Sequence, residues 1–222
     1  MNPAQRLCIL LAAALVLAVL ACTEPEPMLG TVLDDGGQRA PSFELTDQFG
    51  RSASLTDYDG DVVLLTFLYT YCPDVCPAVT GHLRTTHELL GDDAERVDFV
   101  AISLDPERDT VERAHEYSEA WRMLDKWDFL VGDREQLASI WKGYYVDPVQ
   151  AEWIRGEPTA SPRAAGQTPS GADALRRAIA TRYEVLHATP VYLIDRDRSI
   201  RVLFTPPLDP DAIAHDIRLL LK

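Results

Sequence analysis

Cysteine is scarce in this chain, with four residues among 222. Cys8 lies inside an apolar stretch at the N-terminus and Cys22 directly follows that stretch, so a domain that begins after it keeps only Cys72 and Cys76. No other cysteine of the domain remains to pair with these two. We therefore expect them to react with each other, with a metal or with a partner.

Basic residues are also few, since 21 Lys and Arg stand against 35 Asp and Glu, giving a formal net charge of −14 at pH 7. Such an acidic chain argues against nucleic-acid binding and against adhesion to anionic lipid by charge. The acidity by itself indicates no partner and is typical of a solvated surface. The length suits one domain with a sizeable core and some insertion.

The apolar stretch Leu7–Ala21 is too short for an ordinary membrane-spanning helix. With Arg6 before it, the stretch is typical of a secretory signal. Val19-Leu20-Ala21-Cys22 resembles a bacterial lipoprotein processing site, so we predict a signal peptide at residues 1–21 and a lipid anchor on Cys22. The alternatives are an uncleaved anchor or an ordinary signal cut nearby. Each of them leaves the domain exported to the bacterial cell envelope, in the periplasm or on the outer face of the membrane, where disulfides persist.

The rest of the chain predicts a tether followed by one α/β domain. Residues 22–40 are rich in Pro, Glu, Asp and Gly and predict a flexible tether, and the domain is predicted over residues 41–222. A turn at residues 47–50 predicts a β-hairpin between short strands. Two apolar runs, residues 62–69 and 97–104, predict buried parallel strands joined by a helix.

The later elements complete a thioredoxin-like pattern. They are a helix, a strand, a helix, a hairpin and a helix, at about residues 111–124, 129–131, 134–141, 191–204 and 210–221. This order predicts a thioredoxin-like fold with an N-terminal β-hairpin and an insertion before the last hairpin-and-helix unit. The insertion, about residues 147–171, is polar and contains four prolines. It is interpreted either as disordered or as a lid or partner-docking loop.

The two cysteines lie in Tyr71-Cys72-Pro73-Asp74-Val75-Cys76-Pro77, directly after the first apolar run. A proline follows each cysteine and disfavours the helical conformation for the residue before it, so the motif is predicted as a loop. Pro77 suits the first position of a helix, which makes Cys76 its N-cap and favours the Cys76 thiolate. The pair is suited to bind a soft metal or to exchange a disulfide. A permanent disulfide is a further alternative, although so short a bridged loop would stabilise little.

A third ligand would come from histidine. His187 directly precedes the strand at residues 191–194, a junction that a thioredoxin-type sheet places beside the cysteine loop. Two thiolates and an imidazole suit Cu(I), or Cu(II) when further donors join, whereas zinc normally takes a fourth ligand. The alternative for His187 is a capping or packed histidine. The other four histidines are interpreted as surface residues, namely His82, His87, His115 and His215.

Three aspartates near the motif are weaker candidates. Asp74 lies between the cysteines, and Asp105 and Asp109 follow the second apolar run. Each is predicted either to support the site or dock a partner, or to be a turn or cap residue. Tyr71 is predicted to pack on the sheet or to shield the metal.

Three blocks of sequence together resemble the Sco/SenC family of exported copper proteins. They are Cys72-Pro73-Asp74-Val75-Cys76-Pro77, Ile102-Ser103-Leu104-Asp105-Pro106-Glu107-Arg108-Asp109-Thr110, and His187 before Tyr192-Leu193-Ile194-Asp195. The resemblance spans about residue 41 to the C-terminus. It implies a thioredoxin-like fold, copper bound by Cys72, Cys76 and His187, and a role in assembling the binuclear copper centre of cytochrome c oxidase.

We therefore expect a membrane-tethered copper protein whose partner is the copper-site subunit of cytochrome c oxidase or another exported copper or thiol protein. The motif leaves open whether it delivers copper, reduces target cysteines or does both. The alternative is a thioredoxin-type oxidoreductase, in which one of Cys72 and Cys76 attacks a partner disulfide and the other resolves the mixed disulfide. The three-residue spacer, against two in thioredoxins, favours the metal. Thr189-Pro190 stands where thioredoxins have a cis-proline facing the cysteines, which favours the redox alternative.

Overall fold

A computed structural model describes Asn2, Gln5 and residues 26–33, 38–73, 75–146 and 189–222. The predictions that lie outside these described residues concern nearly all of the signal peptide, Cys22, Asp74, the insertion at 147–171 and His187. None of the helices in the described ranges is both long enough and apolar enough to cross a membrane.

The described residues contain nine strands and four α-helices. The strands are β1 (Thr31–Val32), β2 (Gln38–Arg39), β3 (Glu44–Thr46), β4 (Ser52–Ser54), β5 (Val62–Leu68), β6 (Val97–Ser103), β7 (Asp128–Leu130), β8 (Val191–Ile194) and β9 (Ser199–Phe204). The helices are α1 (Val75–Leu90), α2 (Val111–Ala120), α3 (Arg134–Gly143) and α4 (Pro210–Leu220). Two 3₁₀ helices span Leu55–Tyr58 and Gly91–Arg96.

The main sheet has the strand order β1-β9-β8-β5-β6-β7, and β2 also pairs with β9. Strand β5 lies in its centre, parallel to β6 and antiparallel to β8. All seven residues of β5 are buried, as its continuous apolar run predicts for a strand covered on both faces.

The register makes β5 and β6 end side by side, because Leu68 is paired with Ser103. The loops that follow the two strands therefore leave the sheet at the same end, which we call the cysteine end (residues 69–72, Cys76 and residues 104–110). The strands β5, β6 and β7 begin at the other end of the sheet. We call it the opposite end, defined by four side chains, namely Tyr58, Asp61, Asp98 and Asp128.

The helices cover the sheet with their apolar sides. Helices α1 and α4 pack against each other, and Leu83 of α1 and Ile217 of α4 are fully buried. Helix α2 begins after Thr110, whose side chain accepts the Arg113 amide, and α3 begins after Asp133 with a reciprocal capping box.

The predicted N-terminal hairpin is present as β3 and β4, a separate two-stranded sheet. The carboxylate of Asp47 accepts the backbone N–H groups of Phe49 and Arg51, both at 2.8 Å, and holds the turn. Gly50 adopts a φ of 79°, a conformation that glycine reaches without steric cost.

Part of the segment predicted as a tether is bound to the domain. Strands β1 and β2 pair with β9, and the buried carboxylate of Asp216 accepts the amides of Leu29 and Gly30 at 2.8 and 2.9 Å. Gly30 lies so close to β9 that a Cβ atom there would approach Val202 Cγ1 to 2.4 Å. Two-residue strands carry no readable periodicity, so the sequence does not reveal this pairing with a partner far along the chain.

Candidate functional site

The loop between β5 and α1 places the two cysteines at the carboxyl end of the central strand. The Cys72 amide donates to the Tyr69 carbonyl at 3.3 Å, which turns the chain back over the end of the sheet. Cys72 is 8% exposed and Cys76 is fully buried. Both are thiols that form no disulfide. Both cysteines are therefore buried, Cys76 more completely than Cys72.

The two thiols are unequal in their hydrogen bonds. The Cys76 amide donates to Cys72 Sγ across 3.4 Å. A hydrogen bond with the Cys72 sulfur, followed in importance by burial, raises the pKa of the Cys76 thiol well above its usual range. Cys72 is therefore the sulfur that accepts a hydrogen bond from the first turn of α1.

This geometry corrects the prediction for Cys76. Helix α1 begins at Val75, so Cys76 lies inside its first turn and is not the N-cap, and Pro77 is the third helical residue. The side chain of Cys76 consequently points into the core, where desolvation disfavours a thiolate. The favourable contact with a helix N–H that we expected at Cys76 is made by Cys72.

Asp109 joins the ends of β5 and β6 at the cysteine end. Its Oδ1 accepts the Thr70 amide at 3.0 Å and the Thr70 hydroxyl at 2.6 Å, and its Oδ2 accepts the Ser103 hydroxyl at 2.6 Å. The side chain is in the core, with 4% of the residue exposed. Burial raises the pKa of Asp109 to about 6, although the hydrogen bonds from Ser103 and Thr70 act in the opposite direction.

Asp105 is also buried, and it forms an ion pair with Arg108. Its amide donates to the Ser103 hydroxyl at 3.0 Å. Asp105 and Asp109 therefore both hold the loop that follows β6. Their burial is unsuited to contact with a docking partner, which leaves support of the loop as the role that the geometry favours among those predicted.

The rim of the site beside Cys72 is aromatic and basic. Tyr71 is 48% exposed, and its ring lies under the guanidinium groups of Arg108 and Arg113, with ring-centroid distances of 5.1 and 4.6 Å. Arg108 also lies 5.7 Å from the ring of the buried Tyr69. Such cation–π contacts hold an exposed ring in one place. Tyr71 therefore does not pack into the sheet, and shielding of a bound metal stays a prediction for its exposed ring.

A second set of hydrogen bonds lies beneath Cys76. The Thr80 hydroxyl contacts the Cys76 carbonyl at 2.9 Å and the Tyr117 hydroxyl at 2.8 Å. Because Tyr117 belongs to α2, this chain of contacts joins the first turns of α1 to α2. These contacts hold the Cys76 carbonyl in place through Thr80 and Tyr117.

Three of the histidines interpreted as surface residues contact other parts of the domain, and two predicted site residues lie outside the described ranges. His87 contacts the Phe99 ring and His115 the Phe49 ring, while His215 Nε2 lies 3.2 Å from the Pro27 carbonyl. The predicted metal ligand His187 and the candidate Asp74 are outside the described ranges. Within those ranges, no three His, Cys, Asp or Glu side chains form a group that could hold a metal.

The chain re-enters the described ranges beside β5. The Thr66 hydroxyl donates to the Pro190 carbonyl at 2.9 Å, and Val191 is paired with Thr66 near the cysteine end. The Thr189–Pro190 peptide bond is trans, and the cis bond of the described residues is Pro206–Pro207. The local feature that favoured a thioredoxin-type reductase is therefore missing.

Sequence reasoning did not single out Thr70 and Ser103 as members of the site. Both are polar residues near the carboxyl ends of the central strands, Thr70 two residues after β5 and Ser103 at the last position of β6. A polar residue at the end of a buried strand, followed by an acidic loop, was the available signal.

Comparison with known proteins gives the family of similar chains. The sequence model of the family described as SCO1/SenC matches residues 33–162, more than half of the 222 residues. The SCO1 protein homolog of Bacillus subtilis (strain 168) is 31% identical over 91 residues, which cover 40% of this chain and 47% of that protein. The similarity thus spans about half the length of that relative.

Two solved structures resemble this one. Bradyrhizobium japonicum ScoI with copper bound is 27% identical with a TM-score of 0.61, over 82% of this chain and 98% of that one. BsSco, described as a member of the Sco family of cytochrome c oxidase assembly proteins, is 21% identical with a TM-score of 0.60, over 85% and 96%. These matches confirm the predicted thioredoxin-like α/β fold, and copper is the metal of the first of them.

Proposed function

This chain belongs to the SCO1/SenC family, and from that premise we propose that it binds copper through Cys72, Cys76 and His187 and passes it to the copper-site subunit of cytochrome c oxidase. The observation that carries this proposal is the pair of reduced thiols between the end of β5 and the first turn of α1, where the Cys76 amide donates to Cys72 Sγ. The copper is cargo. A related purpose of the same site is to keep the cysteines of that subunit reduced.

The donor set fits the proposed cargo. Thiolates are soft ligands that select Cu(I), and two of them with an imidazole form a low-coordinate set. Binding requires both sulfurs to lose their protons, which the bound metal favours. Cys72 is the sulfur that copper meets first, because it is the more exposed of the pair. Cys76 follows when its proton leaves, and the metal later moves to the acceptor by exchange of ligands.

His187 is proposed as the third ligand on grounds of chain length. It precedes Thr189 by two residues, a span of at most about 7 Å. The chain that follows Thr189 lies against β5 near the cysteine end, as the contact between Thr66 and Pro190 shows. An imidazole two residues upstream is therefore within reach of the loop that carries the thiols. Asp74, Asp105 and Asp109 are proposed to support this loop.

The second candidate function is thiol–disulfide exchange, which the inequality of the two thiols favours. The Cys72 thiolate would attack a partner disulfide, form a mixed disulfide with one partner sulfur and release the other as a thiolate. The Cys76 thiol would then lose its proton and displace the partner, leaving a Cys72–Cys76 disulfide. The three-residue spacer favours copper over this alternative.

Location outside the cytoplasm is part of the proposal. We propose that residues 1–21 are a signal peptide, that Cys22 carries the lipid anchor, and that the domain lies in the bacterial envelope. The sequence of the first 22 residues supports this assignment. Labelling of the expressed chain with a radioactive fatty acid would test it, with Cys22→Ser as the control that loses the label.

The function is tested in a bacterial strain from which this chain has been deleted. We expect membranes of that strain to lack the binuclear copper signal of cytochrome c oxidase and most of its activity. The unsubstituted chain and Asp98→Asn should restore both, whereas Cys72→Ser should restore neither. Full oxidase assembly in the deleted strain would contradict the proposed role.

Substitution of His187 separates the two candidate functions. His187→Ala should lower copper affinity steeply while disulfide exchange through Cys72 and Cys76 continues. Copper affinity measured against a competing chelator and exchange measured with a small disulfide give the two values on one preparation. If both persist in His187→Ala, the histidine is structural and is not a ligand.

A further inference from the structure

Residues 26–33, which we call the strap, are fastened to the last helix and the last strand of the domain. The fully buried carboxylate of Asp216 on α4 accepts the amides of Leu29 and Gly30 at 2.8 and 2.9 Å. The Leu33 amide then donates to a backbone carbonyl of β9 at 3.0 Å. Because its backbone is bound to both elements, the strap moves with the domain.

The start of the strap lies on the C-terminal half of α4. The Pro27 carbonyl is 3.2 Å from His215 Nε2, in the middle of the helix. The carboxylate of Glu26 lies 3.3 Å from the Lys222 ammonium group, beyond the last turn of the helix. The chain that precedes Glu26 therefore leaves the domain beside the C-terminal half of α4.

The end of α4 belongs to the opposite end of the sheet. The Leu221 carbonyl, directly after the helix, accepts hydrogen bonds from Arg96 at 2.9 Å and from Arg196 at 2.7 Å. Arg96 directly precedes the start of β6, and Arg196 lies in the turn that follows β8. Both places are at the end of β5 that is away from the thiols, and the seven residues of β5 separate the two ends by about 20 Å.

The proposed lipid anchor is close to the start of the strap. Cys22 precedes Glu26 by four residues, a span of at most about 14 Å. The strap adds no free length to this span, because it is bound to α4 and β9. An anchor on Cys22 therefore brings the C-terminal half of α4 to the membrane and leaves the cysteine end farther from it.

The surface around this place combines exposed leucines with basic side chains. Leu29 is 59% exposed and Leu89 is 40% exposed. Arg218 of α4 donates to the Leu89 carbonyl, and Lys222 is exposed after the end of the helix. Leucines with long basic side chains beside them are typical of surfaces that lie in the membrane interface. We call Leu29, Leu89, Arg218 and Lys222 the anchor-side surface.

We propose that the anchor-side surface rests on the lipid bilayer and that the strap holds the cysteine end turned away from the membrane. The acceptor must then present its copper site on a part that projects from the bilayer, by about 20 Å or more. The contact does not depend on net charge, because both basic side chains of the surface are already paired with carboxylates. The inference rests on the proposed anchor at Cys22.

The test is fluorescence quenching of the full chain, purified from bacterial membranes and reconstituted into phosphatidylcholine vesicles with nitroxide groups on their headgroups. A fluorescent amino acid replaces either Leu89 or Thr205, an exposed residue that follows β9 at the cysteine end. We expect quenching at Leu89 to exceed quenching at Thr205 by about threefold or more, because interfacial side chains lie within about 10 Å of the headgroups.

The outcomes of this test separate the orientation from the anchor and from copper delivery. Equal quenching at the two positions, or stronger quenching at Thr205, would overturn the orientation alone. A chain that the vesicles do not retain would overturn the anchor together with the orientation. No copper is used, so copper binding and oxidase assembly can fail or succeed independently of the result.

Two glycine variants test the strap itself. A Cβ atom at Gly30 would approach Val202 Cγ1 to 2.4 Å, whereas a Cβ atom at Gly81 of α1 meets no atom of the described residues within 4 Å. We expect Gly30→Ala to loosen the strap and to reduce the excess quenching at Leu89 by about half or more, because overpacking is destabilising. Gly81→Ala is the matched control and should leave the quenching unchanged. Equal quenching in the two folded variants would overturn the role of the strap.

Discussion

The two ends of the main sheet each hold a carboxylate, which is buried at one end and half-buried at the other, and their surroundings differ. Asp109 at the cysteine end accepts three hydrogen bonds from Thr70 and Ser103. Asp98 at the opposite end has no side-chain hydrogen bond within the described residues. Burial, followed by the negative charges of Asp61 and Asp128, raises the pKa of Asp98 to about 6, the same value that burial gives Asp109.

The difference teaches that a raised pKa alone does not mark a functional site. At the opposite end, like charges gather where three strands begin, and Arg51 beside Asp128 offsets them in part. At the cysteine end, donors are arranged around one carboxylate in spite of its burial. The hydrogen-bond donors around Asp109 lie beside reactive thiols, so its carboxylate is a candidate functional group. The raised pKa of Asp98 comes only from burial and like charges, and does not by itself indicate a function.

The largest expected effect is a difference in alkylation rate between the two thiols of the cysteine end. Cys76→Ser leaves Cys72 as the reactive thiol, and Cys72→Ser leaves the buried Cys76. We expect iodoacetamide at pH 7.5 to alkylate the first variant about tenfold faster, because Cys76 is completely buried and burial disfavours its thiolate. Equal rates would show that burial does not distinguish the sulfurs. Circular dichroism of both variants serves as the control for folding.

Substitution of each carboxylate by alanine compares their contributions to the free energy of unfolding. Asp109→Ala leaves the donors of Thr70 and Ser103 without their acceptor, so we expect it to lower the free energy of unfolding by about 2 kcal/mol. Asp98→Ala relieves repulsion from Asp61 and Asp128, and its effect should be near zero or stabilising. Urea titrations at pH 7 measure both. A greater loss from Asp98→Ala would reverse our assignment of the two ends.

The pH dependence of stability should reveal both carboxylates. Each has a folded pKa of about 6, above the ordinary value of 3.8, so between these pH values the folded protein holds protons that the unfolded chain releases. The free energy of unfolding contributed by each group therefore falls as pH rises through this window, by about 1 kcal/mol or somewhat more. Urea midpoints at pH 4.5, 5.5 and 6.5 should show a smaller fall in Asp98→Asn and in Asp109→Asn. An unchanged slope in either variant would contradict the raised pKa of that residue.

The smallest expected effects come from one buried hydroxyl near each end. Tyr117→Phe removes the contact with Thr80 near the cysteines, and Tyr58→Phe removes the 2.9 Å bond to Asp128 at the opposite end. Each should lower the free energy of unfolding by about 1 kcal/mol. Thermal unfolding of the two variants side by side would measure the losses. A loss confined to one variant would show that the other hydroxyl is replaced by water.

The sequence was sufficient for the elements whose signals are local. The apolar runs of β5 and β6, the turn at Asp47, and the caps Thr110 and Asp133 are each visible in a few neighbouring residues, and the structure contains all of them. The cysteine loop was placed correctly after β5 for the same reason. Burial on both faces leaves a continuous apolar pattern.

Features that depend on distant partners were not readable. The hydrogen bonds of Asp109 to Thr70 join residues 39 apart, and Asp216 holds Leu29 across 187 positions. The thiolate was assigned to Cys76 because the helix was predicted to begin at Pro77, two residues too late. Because the helix begins two residues earlier, Cys72 and not Cys76 is the sulfur that accepts a hydrogen bond from its first turn.

The most direct test of the account is an anaerobic titration of the reduced full chain with Cu(I) against a competing chelator, repeated with Cys72→Ser and Asp98→Asn. The account predicts one tightly bound copper in the unsubstituted chain and in Asp98→Asn. It predicts none in Cys72→Ser, because the soft ligand at the mouth of the site is lost. Failure of the unsubstituted chain to take copper from the chelator would contradict copper delivery and leave thiol exchange as the function of the dithiol.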